Sequence, residues 1–373
     1  MFRRKVVTSA LHVFGNGVQA VERRINEEVE ELIKFTEATE GRPFSPQLRI
    51  ASTIMNIISE WLLSTRYDVD DAMAKVLFDF NDKLLEISRQ GSFYQFLPFM
   101  KHLPTEFMKS FEKVMETREA FFAMHFDHHR STYEEGVVRD ITDALLAAYV
   151  TEKGKNRDKD VGKIDDIKFL MMDIFLATMD TTSSVLAWFM LFMILNEDVQ
   201  ENVQREMDKV IGRDRSPSWN DAQNLPYLQA TICEVMRLSA FGPIDVPHKA
   251  IHDSTIQGYH IPKGTTVLFN FWRIHLDSRA WEEPELFNPS RFLDEDGKFV
   301  GWDAFPSFRP FGEGRRVCVG QALGKMQVFV VASKMLHHFR FSVPPGQEKP
   351  TLDGKTSAVR YPKKYELCAK KRY

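Results

Sequence analysis

Cysteine is scarce in this sequence, with three in 373 residues at Cys233, Cys318 and Cys368. A sparse, odd set excludes a disulfide framework and implies that the folded part faces a reducing compartment. Charge of one sign is also missing. The formal net charge is −3, and the most polar run, residues 151–162, alternates in sign, so neither a nucleic-acid-binding stripe nor an acidic solvating tail is present. There is no internal repeat and no low-complexity tract. After Met1-Phe2-Arg3-Arg4-Lys5 no apolar run with a small-residue cleavage site follows, so a secretory leader is not expected.

What is abundant is core material: 43% of residues are hydrophobic and 30 are Phe. That excludes a disordered chain, a collagen-like chain and a disulfide miniprotein, and the length fits two modest domains or one large helical unit. One stretch, residues 169–195, carries only Asp173 and Asp180 as charges. Its length and composition fit a membrane span, but its Asp, Thr and Ser content favours a helix buried on all sides of a large fold.

Apolar residues recur at three- and four-residue spacing over 3–14, 18–37, 46–64, 68–89 and 104–129, which predicts helices. Shorter or later helices are predicted over 137–149, 163–195, 196–211, 225–239 and 320–339, with 151–162 as an exposed loop. After Gly242 the texture changes. Strands are predicted at 246–251, 254–261 and 265–271, then an aperiodic meander over 281–310 and C-terminal strands. The expectation is a single unit over 1–373, mainly α with a small β region: a helical part over 1–242 and a β-containing part over 243–373. His125, His128 and His129 share a helix face, yet the charges around them predict a solvated helix end. Cys233 reads as packing.

Chemistry concentrates in Phe311-Gly-Glu-Gly-Arg-Arg-Val-Cys-Val-Gly320. Gly312 and Gly314 mark a tight turn, and Cys318 stands just ahead of a helix. The helix dipole, with Arg315 and Arg316, is expected to lower the thiol pKa. Such a thiolate can be a nucleophile, a metal ligand or a haem ligand. No second Cys or His stands at zinc spacing. A single thiolate in a Gly-framed loop, with an Arg to meet a propionate, suits haem iron.

This loop, Phe311-x-x-Gly314-x-Arg316-x-Cys318-x-Gly320, resembles the haem-binding loop of the cytochrome P-450 family, the haem-thiolate monooxygenases. Three further motifs follow the family's order. Glu234-Val-Met-Arg237 resembles its E-x-x-R, Phe287-Asn-Pro289-Ser-Arg291-Phe292 its meander motif, and Ala177-Thr-Met-Asp180-Thr181-Thr182 its oxygen-activation motif, with Thr178 where a Gly is usual. The resemblance implies haem b with Cys318 as its axial ligand, Arg316 on a propionate, and Phe311 and Gly320 framing the thiolate. It implies Thr181 and Asp180 as the catalytic pair delivering protons and Ala177 against haem and substrate. Glu234, Arg237 and Arg291 would form a buried network. More loosely, it places His248 and one of Arg3 and Arg4, with Arg4 the candidate, on a propionate, with Ile244 and Val246 facing substrate.

The implied activity is insertion of one oxygen atom from dioxygen into a lipophilic substrate, with electrons from NADPH through a separate NADPH-cytochrome reductase, and cytochrome b5 as a second donor. Arg315 and Lys325 are the docking candidates. Within the family, the runs around Pro247–Ala250 and Gly258–Thr266 look similar to steroid 17-hydroxylases and aryl-hydrocarbon-oxidising relatives. That implies a steroid-like or aromatic substrate and a parent protein on the cytosolic face of the endoplasmic reticulum membrane. The resemblance begins at the family's third major helix, so the expected fold lacks the N-terminal anchor, first strands and first helices. Two alternatives remain: a truncated, non-catalytic product, and a haem-thiolate isomerase or dehydratase, against which the Asp180-Thr181 pair speaks.

Overall fold

The computed structural model describes residues 2–15, 18–68, 70–78, 83, 103, 105–155 and 162–373. Helices come first: α1 (Phe2–Gly15), α2 (Val18–Ala38), α3 (Gln47–Leu63), α4 (Glu106–Ser131), α5 (Ile141–Lys155), α6 (Ile167–Leu195), α7 (Glu197–Val210) and α8 (Pro226–Ser239). The short strands β1 (His248–Lys249), β2 (Ser254–Ile256), β3 (Tyr259–Ile261) and β4 (Thr266–Val267) follow. Then come α9 (Phe271–His275), α10 (Gln321–His338), β5 (Phe339–Ser342), β6 (Gly354–Thr356), β7 (Arg360–Pro362) and β8 (Cys368–Lys371). The strands pair antiparallel as β1–β4, β2–β3, β5–β8 and β6–β7.

Local chemistry sets the ends of these elements. Pro226 opens α8, where its missing N–H costs nothing. The Thr105 hydroxyl accepts from the Met108 N–H to cap α4. The predicted helix over 137–149 instead runs from Ile141 to Lys155. The Asp140 carboxylate accepts from the Asp143 N–H and so marks the start, and residues 151–155 continue the helix rather than the expected loop. The strand expected over 265–271 stops early, because Asn270 caps a helical turn by accepting from the Arg273 N–H. The helix expected over 68–89 is seen over 72–78 and at residue 83; residues 68, 70 and 71 are not helical, and the remaining positions lie outside the described residues.

The long helix is the axis of the molecule. Its 29 residues span about 44 Å, with a single 3-10 turn, Ile164–Asp166, ahead of it. It packs against α3, α4, α8, α10 and β7. Val185–Ile194 are all at most 2% exposed. Among the described residues this is the one helix long and apolar enough to cross a membrane; its second half is apolar all round because it is enclosed all round, while Asp173 and Ala177 in its first half are exposed.

The histidine face of α4 departs from expectation. His129 is buried rather than solvated. Its Nε2 lies 2.7 Å from Asp140 and its Nδ1 2.8 Å from the His125 carbonyl. His129, Asp140 and Asp143 lie close enough to hold a metal ion, but Asp143 is paired with the Arg139 guanidinium and Asp140 also accepts from Ser64. Protons therefore fill the coordination this cluster offers.

Candidate active site

The Cys318 loop is built on backbone conformations that only glycine adopts readily. Gly312 and Gly314 have φ of 72° and 70°, and the Cys318 N–H closes the loop on the Phe311 carbonyl at 2.8 Å. Gly320 caps α10, so the cysteine stands just ahead of that helix, as the spacing implied.

The thiol opens onto a cavity of about 440 Å³. One wall is the loop itself, with Phe311, Arg316, Cys318 and Gly320, backed by Leu323 of α10. The opposite wall is α6, which presents Ala177, Thr178, Thr181 and Val185. Ile244, Val246, Ala358 and Val359 also line it, Ile244 and Val246 being 53% and 76% exposed. Two motifs about 140 residues apart in the chain thus face each other across one apolar space.

The electrostatics correct one expectation. The Cys318 thiol is raised, not lowered. Desolvation by the surrounding walls dominates, and the Gly320 N–H and the Arg4 charge only partly offset it. Arg315 and Arg316, credited in advance, are not the cations involved. Arg4 lines the cavity and donates to the Val317 carbonyl beside the thiol. Arg3 points elsewhere, to Asp166 at 3.1 Å. Of the two adjacent arginines, α1 thus turns Arg4 to the cavity and Arg3 away from it.

Thr181 faces the cavity, and its hydroxyl donates to the Ala177 carbonyl at 2.6 Å within its own helix. Asp180 is 7% exposed and is not part of the cavity wall. Its carboxylate and its backbone carbonyl instead accept from the Tyr361 phenol, at 3.1 and 2.8 Å. His248 does not itself line the cavity; it lies 3.4 Å from Asp245, which does, and edge-on to Phe269. Lys325 is not a free surface cation. Its ammonium lies over Trp302 and Phe311, 4.5 and 5.5 Å from the ring centres, and burial lowers its pKa.

Glu234 and Arg237, both fully buried, form a two-pronged pair at 2.7 and 2.8 Å. Arg291 reaches the same carboxylate at 3.3 Å, and the Asn288 N–H adds a bond at 2.9 Å. Arg237 also donates to the His275 and Pro284 carbonyls and lies over Trp281. The network joins α8 to the meander below the cysteine loop.

A haem fits this arrangement. The cavity offers one thiol, two guanidinium groups and largely apolar walls, broken by Thr178, Thr181, Thr182, Asp245 and Gln327. Two buried donors that line it, Trp61 Nε1 and Gln327 Nε2, have no partner among the described residues, which is the condition a polar-edged ligand or water relieves. Trp61, Gln327 and the Ala358-Val359 pair went unnoticed in the sequence. Trp61 and Gln327 lie on periodic helical faces that read as core, and nothing local marks Ala358.

Helical architecture with a thiol loop opposed to a long central helix defines the class of haem-thiolate oxidoreductases. The chain belongs to the cytochrome P450 family, whose model matches residues 1–369. It is 34% identical over 373 residues to the steroid 17-alpha-hydroxylase/17,20 lyase of Ictalurus punctatus, covering 100% of this chain and 72% of the relative. It is 36% identical to cytochrome P450 2D4 of Rattus norvegicus over 378 residues, 99% of this chain and 73% of that one. A solved zebra fish cytochrome P450 with progesterone superposes with a TM-score of 0.86 at 29% identity, covering 100% of this chain and 82% of that one. The protein is a haem-dependent monooxygenase of this family.

Proposed function

We propose that the chain is a single haem-binding unit in which Cys318 would hold the iron, Arg4 and Arg316 would meet the propionates, and Thr181 would act from the α6 wall of the same cavity. When bound, the haem supplies oxygen activation, with the thiolate pushing electron density toward O–O cleavage. Cys318 would bind the iron as a thiolate, because a coordinated thiol loses its proton to the metal's charge, so the raised pKa of the free thiol is no obstacle. Phe311 shields the sulfur. Ala177, Ile244 and Val246 exclude water and orient an apolar substrate. The Thr181 hydroxyl, now on the Ala177 carbonyl, holds a proton at the cavity wall, and Asp180 supplies it from behind. Glu234, Arg237 and Arg291 keep the loop in register.

The substrate class is a steroid-like or aromatic lipophile, supported by the apolar walls and by the names of the relatives. Electrons come from NADPH through a separate NADPH-cytochrome reductase, with cytochrome b5 as a second donor, and the parent protein is held at the endoplasmic reticulum membrane. The observation that carries this reading is one cavity shared by Cys318 and Thr181. The test is the reduced, carbon-monoxide difference spectrum of the haem-loaded chain. A red-shifted Soret band that disappears in Cys318→Ala is expected, and a spectrum indifferent to Cys318→Ala overturns the ligand assignment.

A further inference from the structure

Few polar groups reach the cavity wall, and most of them are committed. Arg4 donates to the Val317 carbonyl. Asp245 accepts from the Val246 N–H at 2.8 Å and lies 3.4 Å from His248. Of the three threonines that α6 turns to the cavity, two are occupied. The Thr181 hydroxyl donates to the Ala177 carbonyl at 2.6 Å, and the Thr182 hydroxyl to Gln327 Oε1 at 3.3 Å. The Thr178 hydroxyl has no hydrogen-bond partner among the described residues.

A threonine inside a helix can bond back to the carbonyl one turn earlier, and Thr36, Thr117, Thr151 and Thr231 all do so. Thr178 makes no such bond, and the space it lines is the cavity. It precedes Thr181 by three residues and Thr182 by four, so the three share one face of α6. Thr178 stands about 4.5 Å before Thr181 along the helix axis. The other α6 side chains on this wall, Ile174, Ala177 and Val185, hold no polar atom. Trp61 Nε1 and Gln327 Nε2 are unpartnered too, but both residues are fully buried, whereas Thr178 is half-buried and open to the cavity's contents.

A hydroxyl carries one donor and two acceptor lone pairs, so it can meet a carbonyl, hydroxyl or water oxygen. Left without a partner in an apolar space it is unfavourable. A molecule that brings an oxygen to it gains affinity and one fixed orientation. We propose that Thr178 is a ligand-orienting residue. Its hydroxyl seats one uncharged oxygen atom, either that of a bound lipophile or that of a water beside it. An apolar molecule without oxygen has no such anchor and turns freely in the cavity. The inference rests on the reading of this cavity as the substrate site. Where the oxygen is the ligand's own, it narrows the substrate to an oxygenated lipophile.

The test uses haem-loaded wild type, Thr178→Val and Thr178→Ser, with 2-adamantanone and its parent hydrocarbon adamantane as probes. Val keeps the shape of Thr without the hydroxyl, and Ser keeps the hydroxyl without the methyl. Equilibrium dialysis gives each affinity, and the infrared carbonyl band of the bound ketone reports its hydrogen bond. The ketone should bind roughly three- to tenfold more weakly to Thr178→Val. Its band should move to the position seen in hexane, adamantane should bind unchanged, and Thr178→Ser should restore both ketone readouts. Crystals of ligand-free wild type and Thr178→Val separate the two oxygen sources. A water on Thr178 Oγ1 that is missing from the Val variant, with probe affinities equal in the two chains, assigns the oxygen to water. Unchanged ketone affinity and band in Thr178→Val, with no such water in wild type, overturn the inference and leave the substrate cavity standing. Wild type that takes up neither probe overturns the substrate cavity itself, and the inference with it.

Discussion

At the scale of single residues, the two adjacent arginines of α1 show how little separates a ligand contact from a surface charge. Arg4 turns into the cavity beside Cys318, and Arg3 turns out to Asp166. A charged hydrogen bond to a propionate is worth about 1.5–3 kcal/mol, roughly tenfold or more in affinity. Arg4→Ala should therefore release haem to an acceptor globin about tenfold more readily, and Arg3→Ala should not. Equal haem loss in the two variants would remove Arg4 from the site. Cys318 makes a related point. A cysteine ahead of a helix is ordinarily expected to be acidic, yet its apolar cavity outweighs the helix end and the thiol is raised. Position along the chain implied one direction and surroundings imposed the other.

At the scale of elements, α8 is the piece whose burial is most demanding. It carries a carboxylate and a guanidinium into a fully enclosed position, and only complete pairing makes that tolerable. Removing one partner strands the other, at a cost of about 3–5 kcal/mol. Arg237→Ala should lower stability by that amount in urea titration, leaving Glu234 with Arg291 and the Asn288 N–H alone. A loss below about 1 kcal/mol would mean that the network is solvated and of the surface kind. The E-x-x-R spacing made the pair legible in advance. The carbonyls that complete the arginine's shell come from His275 at the end of α9 and from Pro284 and Leu286 in the aperiodic meander, and residue spacing alone does not show that these three meet Arg237.

At the scale of the whole molecule, the His129–Asp140 bond ties three helices together. His129 is on α4, Asp140 begins α5, and Ser64, which also donates to Asp140, ends α3. Burial disfavours a charged ring, but the Asp140 carboxylate and the His125 carbonyl outweigh it, and the His129 pKa is raised. A raised value in the folded state means that this stabilisation is fully present below the unfolded pKa of about 6.5. It is lost as pH rises through the higher folded value. His125 works the other way. Burial and its charged neighbours push it down to about 4, so it costs stability as pH falls below about 6.5. The difference in Tm between wild type and His129→Gln isolates the first effect. It should be largest at mildly acidic pH and shrink as pH rises, and a difference that is flat with pH would show that the His129 ring stays neutral.

By itself the sequence determined the helices, the change to β texture after Gly242, the thiol loop and the order of the four motifs. These depend on residue spacing within one element or one turn, and spacing is a local quantity. Only the tertiary structure decided which arginine enters the cavity, that His129 is buried, that Asp180 turns away from the cavity toward Tyr361, and that His248 stays outside it. Each of those facts depends on which distant surface a side chain meets. That is set by how α6 is enclosed from all sides, and no window along the chain contains it.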